Sequence, residues 1–299
     1  MKLARLGSFA VALTAWVAFA VLTALGQTVP DQKPFLVFDA TGYSNKPDFS
    51  LYGIRPIKLA YAEGFGPDWY KNANRLPDLT AVQAVAREAQ QRGYGVVVLD
   101  IEHWPLTGTS NSVLDSLTKY MTVLKWFREA APGVSVGYYG APPVHDYSRA
   151  IKDASSQERQ AWGEENDQVR SLAGAVDVLF PSLYTFYPDQ AGWKKYAIAQ
   201  IEEARRYGGG KPVYVFLWPQ YHDSNVILGG GYLPADYWLL ELQTAKEFAD
   251  GIVIWGGWDL KIHKPMVWDD SATWWKVTKE FMKNGDKLPP NVPAGLTVR

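Results

Sequence analysis

The chain has no cysteine among its 299 residues. That excludes thiol catalysis, thiolate metal sites and disulfide bracing. Histidine is scarce too, at four. No second histidine stands at ligand spacing from Asp100, Glu102 and His103, and His103 is expected on the opposite face of an extended strand. Neither a metal nor another cofactor is therefore expected. No charge sign dominates, with 30 Lys and Arg against 31 Asp and Glu, so a nucleic-acid partner is not expected. No G-x-S-x-G elbow is present. No Gly-rich phosphate fingerprint follows the first apolar run either, which argues against a nucleotide-binding open sheet.

Aromatic residues are plentiful: 13 Trp, 17 Tyr and 12 Phe. Many must fill a core, but so many tryptophans also suit stacking against the flat apolar faces of sugars. The N-terminus begins with Lys2 and Arg5, continues with an uncharged run over residues 6–25, and reaches Ala24-Leu25-Gly26 with small residues suited to cleavage. Residues 1–26 thus read as a secretory signal peptide, with an uncleaved membrane anchor as the alternative. The body is expected outside the cytoplasm, secreted or periplasmic, with the membrane as partner only if the segment is retained.

Apolar strand-like runs recur at residues 35–38, 54–61, 96–99, 134–139, 176–180, 213–217 and 252–255. They are short, rich in Val and Ile, and apolar on both faces, as parallel strands covered by helices are. Helical stripes lie between them. Leu79, Val82, Val85, Ala86 and Ala89 form one, ended by Gly93, and Leu114, Leu117, Met121, Leu124 and Phe127 form another. Ser155-x-x-Glu158 reads as a capping box. Ile198, Ile201 and Ala204 mark the next helix, and Pro234 opens one carrying Leu239, Leu242, Ala245 and Phe248. A last helix is expected over residues 275–282, with Trp274 and Trp275 packing it. Sustained alternation predicts an α/β fold, a single TIM-like barrel of seven or eight β/α units over residues 27–285. Residues 286–299 read as an irregular tail.

In such barrels chemistry sits at the C-terminal ends of the strands. Those ends carry Asp100, Glu102 and Trp104, then Tyr138 and Tyr139, then Tyr184, then Trp218, then Trp255, Trp258 and Asp259. Side chains two apart on a strand share a face, with their Cα atoms about 6.5–7 Å apart. Two carboxylates held that way, after the apolar Val96-Val97-Val98-Leu99, repel each other and lose water. One is then kept protonated beside an ionised partner, as a general acid beside a charge stabiliser requires.

Taken in order, these segments resemble the hyaluronidase family, glycoside hydrolase family 56. Asp100, Glu102 and Trp104 match its Asp-x-Glu-x-Trp segment; Gly137, Tyr138, Tyr139 and Pro142 match a Gly-aromatic-Tyr segment. Phe180-Pro181-Ser182-Leu183-Tyr184 matches Tyr-Pro-Ser-Ile-Tyr, residues 212–215 match Pro-Val-Tyr-Val, and Gly251–Gly256 reproduces Gly-Ile-Val-Ile-Trp-Gly unchanged. The resemblance implies a distorted barrel and a retaining mechanism in which the substrate's 2-acetamido oxygen is the nucleophile. It further implies Glu102 as acid and then base, Asp100 as the group that orients and stabilises the acetamido group, and Tyr184 as a hydrogen-bond donor to its oxygen. Tyr139 and Trp255 would shape the pocket, with Trp104, Trp218, Tyr138, Trp258 and Asp259 as further substrate contacts. The chain departs from the family in having no cysteine, in Asp39-Ala40-Thr41-Gly42 where the family has Asn-x-Pro-Thr, and in Phe180. Arg and Lys are not enriched near the rim either, so the chain resembles a distant, bacterial-type relative.

The expectation is an exported hydrolase of polysaccharides containing β-linked N-acetylhexosamine, with hyaluronan or chondroitin as the leading polymers. One alternative is a glycoside hydrolase acting on an exopolysaccharide without acetamido groups, with Asp39, Asp259 or Asp100 as nucleophile. The other is a non-catalytic glycan-binding barrel.

Overall fold

A computed structural model describes residues 34–259 and 261–284. The signal peptide or anchor expected at residues 1–26 and the tail expected from residue 286 lie outside the described residues. The strands are β1 Leu36–Thr41, β2 Arg55–Pro56, β3 Lys58–Tyr61, β4 Val96–Asp100, β5 Ser135–Tyr138, β6 Tyr214–Leu217 and β7 Gly251–Gly256. A short hairpin of β8 Trp258–Asp259 and β9 Lys264–Pro265 follows. The helices are α1 Leu79–Gln91, α2 Ser110–Ala130, α3 Tyr147–Ala150, α4 Gln157–Gln168, α5 Arg170–Ala175, α6 Gln190–Gly208, α7 Ala235–Phe248 and α8 Thr273–Asn284.

Parallel pairing runs β2–β1–β7–β6 on one side and β3–β4–β5 on the other. Only Ile57 separates β2 from β3, so that one stretch of chain joins the two sheets. The other junction is the expected strand at residues 176–180, which forms no regular ladder. It makes single parallel bridges instead, Tyr139 to Phe180, Leu179 to Val213 and Ser182 to Phe216. Pro181 has no N–H to donate, and a proline interrupts a central ladder for that reason. The hydrogen bonding thereby passes through seven parallel segments and returns to its start, an irregular closed α/β barrel.

Closure divides the apolar residues into two cores. Phe38, Val98, Phe180, Tyr214, Phe216 and Val253 fill the inside. Val97, Leu99, Val136, Val215, Leu217, Ile252 and Ile254 pack outward with the helices. Alternation along each strand produces this split. At Gly137 the interior has no room for a side chain, since a Cβ there would lie 2.1 Å from the Val178 carbonyl oxygen.

Two helix readings shift. Ser156, not Ser155, caps α4, accepting from the Arg159 N–H. On α2, Leu114 and Met121 are exposed, and Val113, Leu117, Tyr120, Val123, Leu124 and Phe127 form the buried face. The stripe is rotated because Tyr120 and Val123 are needed against the barrel. Trp274 and Trp275 are buried in α8, as expected.

Candidate active site

Val96 and Val98 pack toward the barrel interior. Asp100, two residues further along β4, therefore ends the strand facing inward, and Glu102 follows beside it. The two carboxyls hydrogen-bond each other. Burial, then the charge and hydrogen bond of Glu102, then the charge of Glu63, push Asp100 up to about 8. Glu102 is also raised by burial, partly offset by its bond to Asp100. Glu102 is exposed to solvent in the cleft, whereas Asp100 is only partly so. The pair accordingly retains one proton near neutral pH, held more firmly by the more enclosed Asp100.

Aromatic side chains from the other strand ends enclose this pair in a cavity of about 440 Å³. The Tyr139 hydroxyl lies 3.0 Å from Ser182 Oγ, and its ring is 5.9 Å from that of Tyr184. Tyr184 also meets Trp218 at 5.6 Å and Trp255 at 5.8 Å. Trp218 and Trp255 stand nearly perpendicular, centroids 4.9 Å apart. The indole N–H of Trp218 donates to Gln220 Oε1 at 2.9 Å, which fixes the ring. Burial raises the hydroxyls of Tyr139 and Tyr184 far above their usual range, so both stay neutral donors.

Asp100, Glu102, Tyr139, Tyr184, Trp218 and Trp255 all line this cavity, as the strand-end reading expects. Trp104 and Tyr138 do not. Trp104 is 1% exposed and packs against Trp69 and Tyr120, because the chain leaves strand geometry after Asp100. Tyr138 pairs in register with Leu99, on the outward face, and donates to the Tyr120 carbonyl at 2.7 Å. Both hold the wall behind the site. The same departure from strand geometry turns His103 onto the cavity lining, edge-on to Trp69, rather than away from it. Trp258 and Asp259 sit further out on the β8–β9 hairpin. There the Asp259 carboxylate accepts from the backbone of Lys261 and Ile262, and so holds the turn.

The lining residues that escaped the sequence reading include Tyr61, Glu63, Tyr70, His222 and Asp223. Tyr61 was findable, since it ends a strand run whose Ile57 and Leu59 share its face. Glu63 and Tyr70 lie on short 3-10 turns that follow β3, too brief for any periodicity to mark them. Asp39, one alternative nucleophile, is bound to Lys46 Nζ at 2.6 Å and accepts from both the N–H and the hydroxyl of Thr41. No group of three His, Asp or Glu side chains among the described residues is placed to hold a metal ion.

No known family profile matches the chain, and no curated protein sequence does. Among solved structures, bee venom hyaluronidase is similar with a TM-score of 0.58 and 18% identity, over 84% of this chain and 97% of that one. Bee venom hyaluronidase in complex with a hyaluronic acid tetramer gives 0.58 at 17% identity, over 84% and 96%. A GH18 chitinase from Pseudoalteromonas aurantia gives 0.42 at 14% identity, over 68% and 71%. At these identities the likeness is one of fold, and the chain has the α/β-barrel fold found among glycoside hydrolases.

Proposed function

We propose that the protein is an exported, retaining glycoside hydrolase that cleaves β-linked N-acetylhexosaminides by substrate-assisted catalysis. The observation that carries this reading is the Asp100–Glu102 pair, two carboxyls together in an aromatic-walled cavity, each with its proton affinity raised by burial. Such a pair costs stability and serves no packing need, which argues against a pure binding barrel.

In this reading the substrate assigns the roles. An acetamido N–H brought to Asp100 favours its ionised form, and the shared proton moves to Glu102. Glu102 gives that proton to the glycosidic oxygen as the bond to the anomeric carbon breaks. The acetamido oxygen closes onto the same carbon, forming a cyclic cation that the Asp100 carboxylate stabilises. Glu102, now ionised, takes a proton from the water that opens the ring, and two inversions give retention. Tyr184, a buried neutral donor, suits the acetamido oxygen. The alternative with an enzymic nucleophile is less well served, because Asp39 is engaged by Lys46 and Asp259 by its turn.

The test is a thiazoline analogue of N-acetylglucosamine, which mimics the cyclised intermediate and is expected to inhibit competitively. Tyr184→Phe is expected to weaken that inhibition by about 1–3 kcal/mol through loss of a buried donor. A substrate with hydroxyl in place of the 2-acetamido group is expected not to turn over. Equal cleavage of that substrate, with no binding of the analogue, overturns the mechanism.

A further inference from the structure

The cavity at the acid pair is one part of a longer cleft. It shares Tyr61, Glu63 and Trp255 with a neighbouring cavity of about 860 Å³, and Trp218 and Asp223 with a third of about 230 Å³. A polymer lying across Asp100 and Glu102 must occupy these flanks. Their charge therefore bears on which polymer fits.

The charges nearest the acid pair are acidic. Glu63 and Asp223 border the acid pair itself, and no lysine or arginine lines that central cavity among the described residues. Its two histidines, His103 and His222, are driven toward their neutral forms by burial. In the larger flank the cations are Lys46 and Lys58. Lys46 is held by Asp39 at 2.6 Å, and Lys58 faces Glu88 at 3.7 Å. The third cavity offers Lys261, with Asp223 and Asp259 in the same lining.

Building on the function proposed above, we infer that the cleft is selective for amino-sugar polymers without uronic acids, and that Glu63 and Asp223 are specificity-determining residues that repel a carboxylate. The stacking rings of Trp218, Trp255 and Trp258 accept neutral sugar faces irrespective of charge. In a polymer that alternates amino sugar with uronic acid, every amino sugar has a uronate as its neighbour. Cleavage at the acid pair places that uronate in the subsite bordered by Glu63 or Asp223. Like charges there are unfavourable, and the cations of the larger flank, Lys46 and Lys58, already face Asp39 and Glu88.

The experiment compares an N-acetylglucosamine oligosaccharide, a hyaluronan oligosaccharide of equal length and the same hyaluronan oligosaccharide with its carboxyls reduced to alcohols. Each is assayed as substrate, and the two hyaluronan forms also as competitors of the neutral oligosaccharide. The reduced form is expected to be cleaved, or to compete, at least about tenfold better than the native one. The gap should narrow as salt is raised from 0.01 to 0.15 M, where the screening length falls from about 30 to about 8 Å. Asp223→Lys is expected to narrow the gap, lowering KM or Ki for native hyaluronan relative to that for its reduced form. Native hyaluronan handled as well as its reduced form overturns the inference and leaves the hydrolase reading intact. If none of the three is bound or cleaved, the reading of function itself fails.

Discussion

The indole N–H of Trp255, at the end of β7, donates to the hydroxyl of Tyr61, at the end of β3, at 3.0 Å. This bond joins residues from strands on two different sheets and sets the angle of the Trp255 ring over the acid pair. Tyr61→Phe leaves the indole without its acceptor and frees the ring. The expected result is a KM raised about 2–10-fold, the equivalent of one hydrogen bond, with kcat changed little. A fall in kcat beyond a hundredfold would instead place Tyr61 in the chemistry.

Glu102→Gln removes the dissociable proton without changing size. On a substrate with a poor leaving group, kcat is expected to fall by about 10²–10⁴, the range typical of a lost general acid. With an activated leaving group, which departs without a proton, the loss should be much smaller. Retained turnover of the poor leaving group in a folded variant would remove Glu102 from this role.

Asp100→Asn has two expected effects with opposite signs. In the wild type the working form carries one proton on the pair, so kcat/KM should fall on the alkaline side near Asp100's value of about 8. Without the neighbouring anion, Glu102 should lose its proton more readily, and the residual activity should lose its alkaline limb at lower pH. Stability changes in the other direction. Folded Asp100 keeps a proton up to about pH 8 that the unfolded chain releases near its ordinary value of 3.8. Wild-type stability therefore declines as pH rises through that window, and the Asn variant should unfold at the higher temperature at pH 8. The difference should close toward pH 4. Superimposable pH–rate and pH–Tm curves would show the two carboxyls to be uncoupled.

Gly137→Ala tests the interior of the barrel. Its new methyl group would meet the Val178 carbonyl at 2.1 Å and the Phe180 ring at 2.9 Å. A backbone oxygen cannot move aside without breaking the bridge beside it, so the expected loss is more than about 3 kcal/mol in urea unfolding. Tyr138→Phe on the neighbouring position forfeits only its bond to the Tyr120 carbonyl, about 1 kcal/mol. Comparable losses for the two variants would contradict this account of the packing.

Strand alternation is a local property of the backbone, and what depends on it alone was legible in the sequence. The seven apolar runs and their order follow from spacing, whereas Glu102 lies past the end of β4 and its place beside Asp100 belongs to the folded chain. The sequence could not say whether Tyr138 or Tyr139 faces inward, because a strand buried on both sides has no polar face to orient it. Only its register with β4 decides that. Nor could it place Trp104, where strand geometry has ended, or Glu63, carried to the acid pair by the short 3-10 turn after β3, the strand paired with β4. The proton affinity of Asp100 and the pairing of Lys46 with Asp39 belong to the closed barrel as well. Desolvation and charge act through space, so they exist only once closure has brought these groups together.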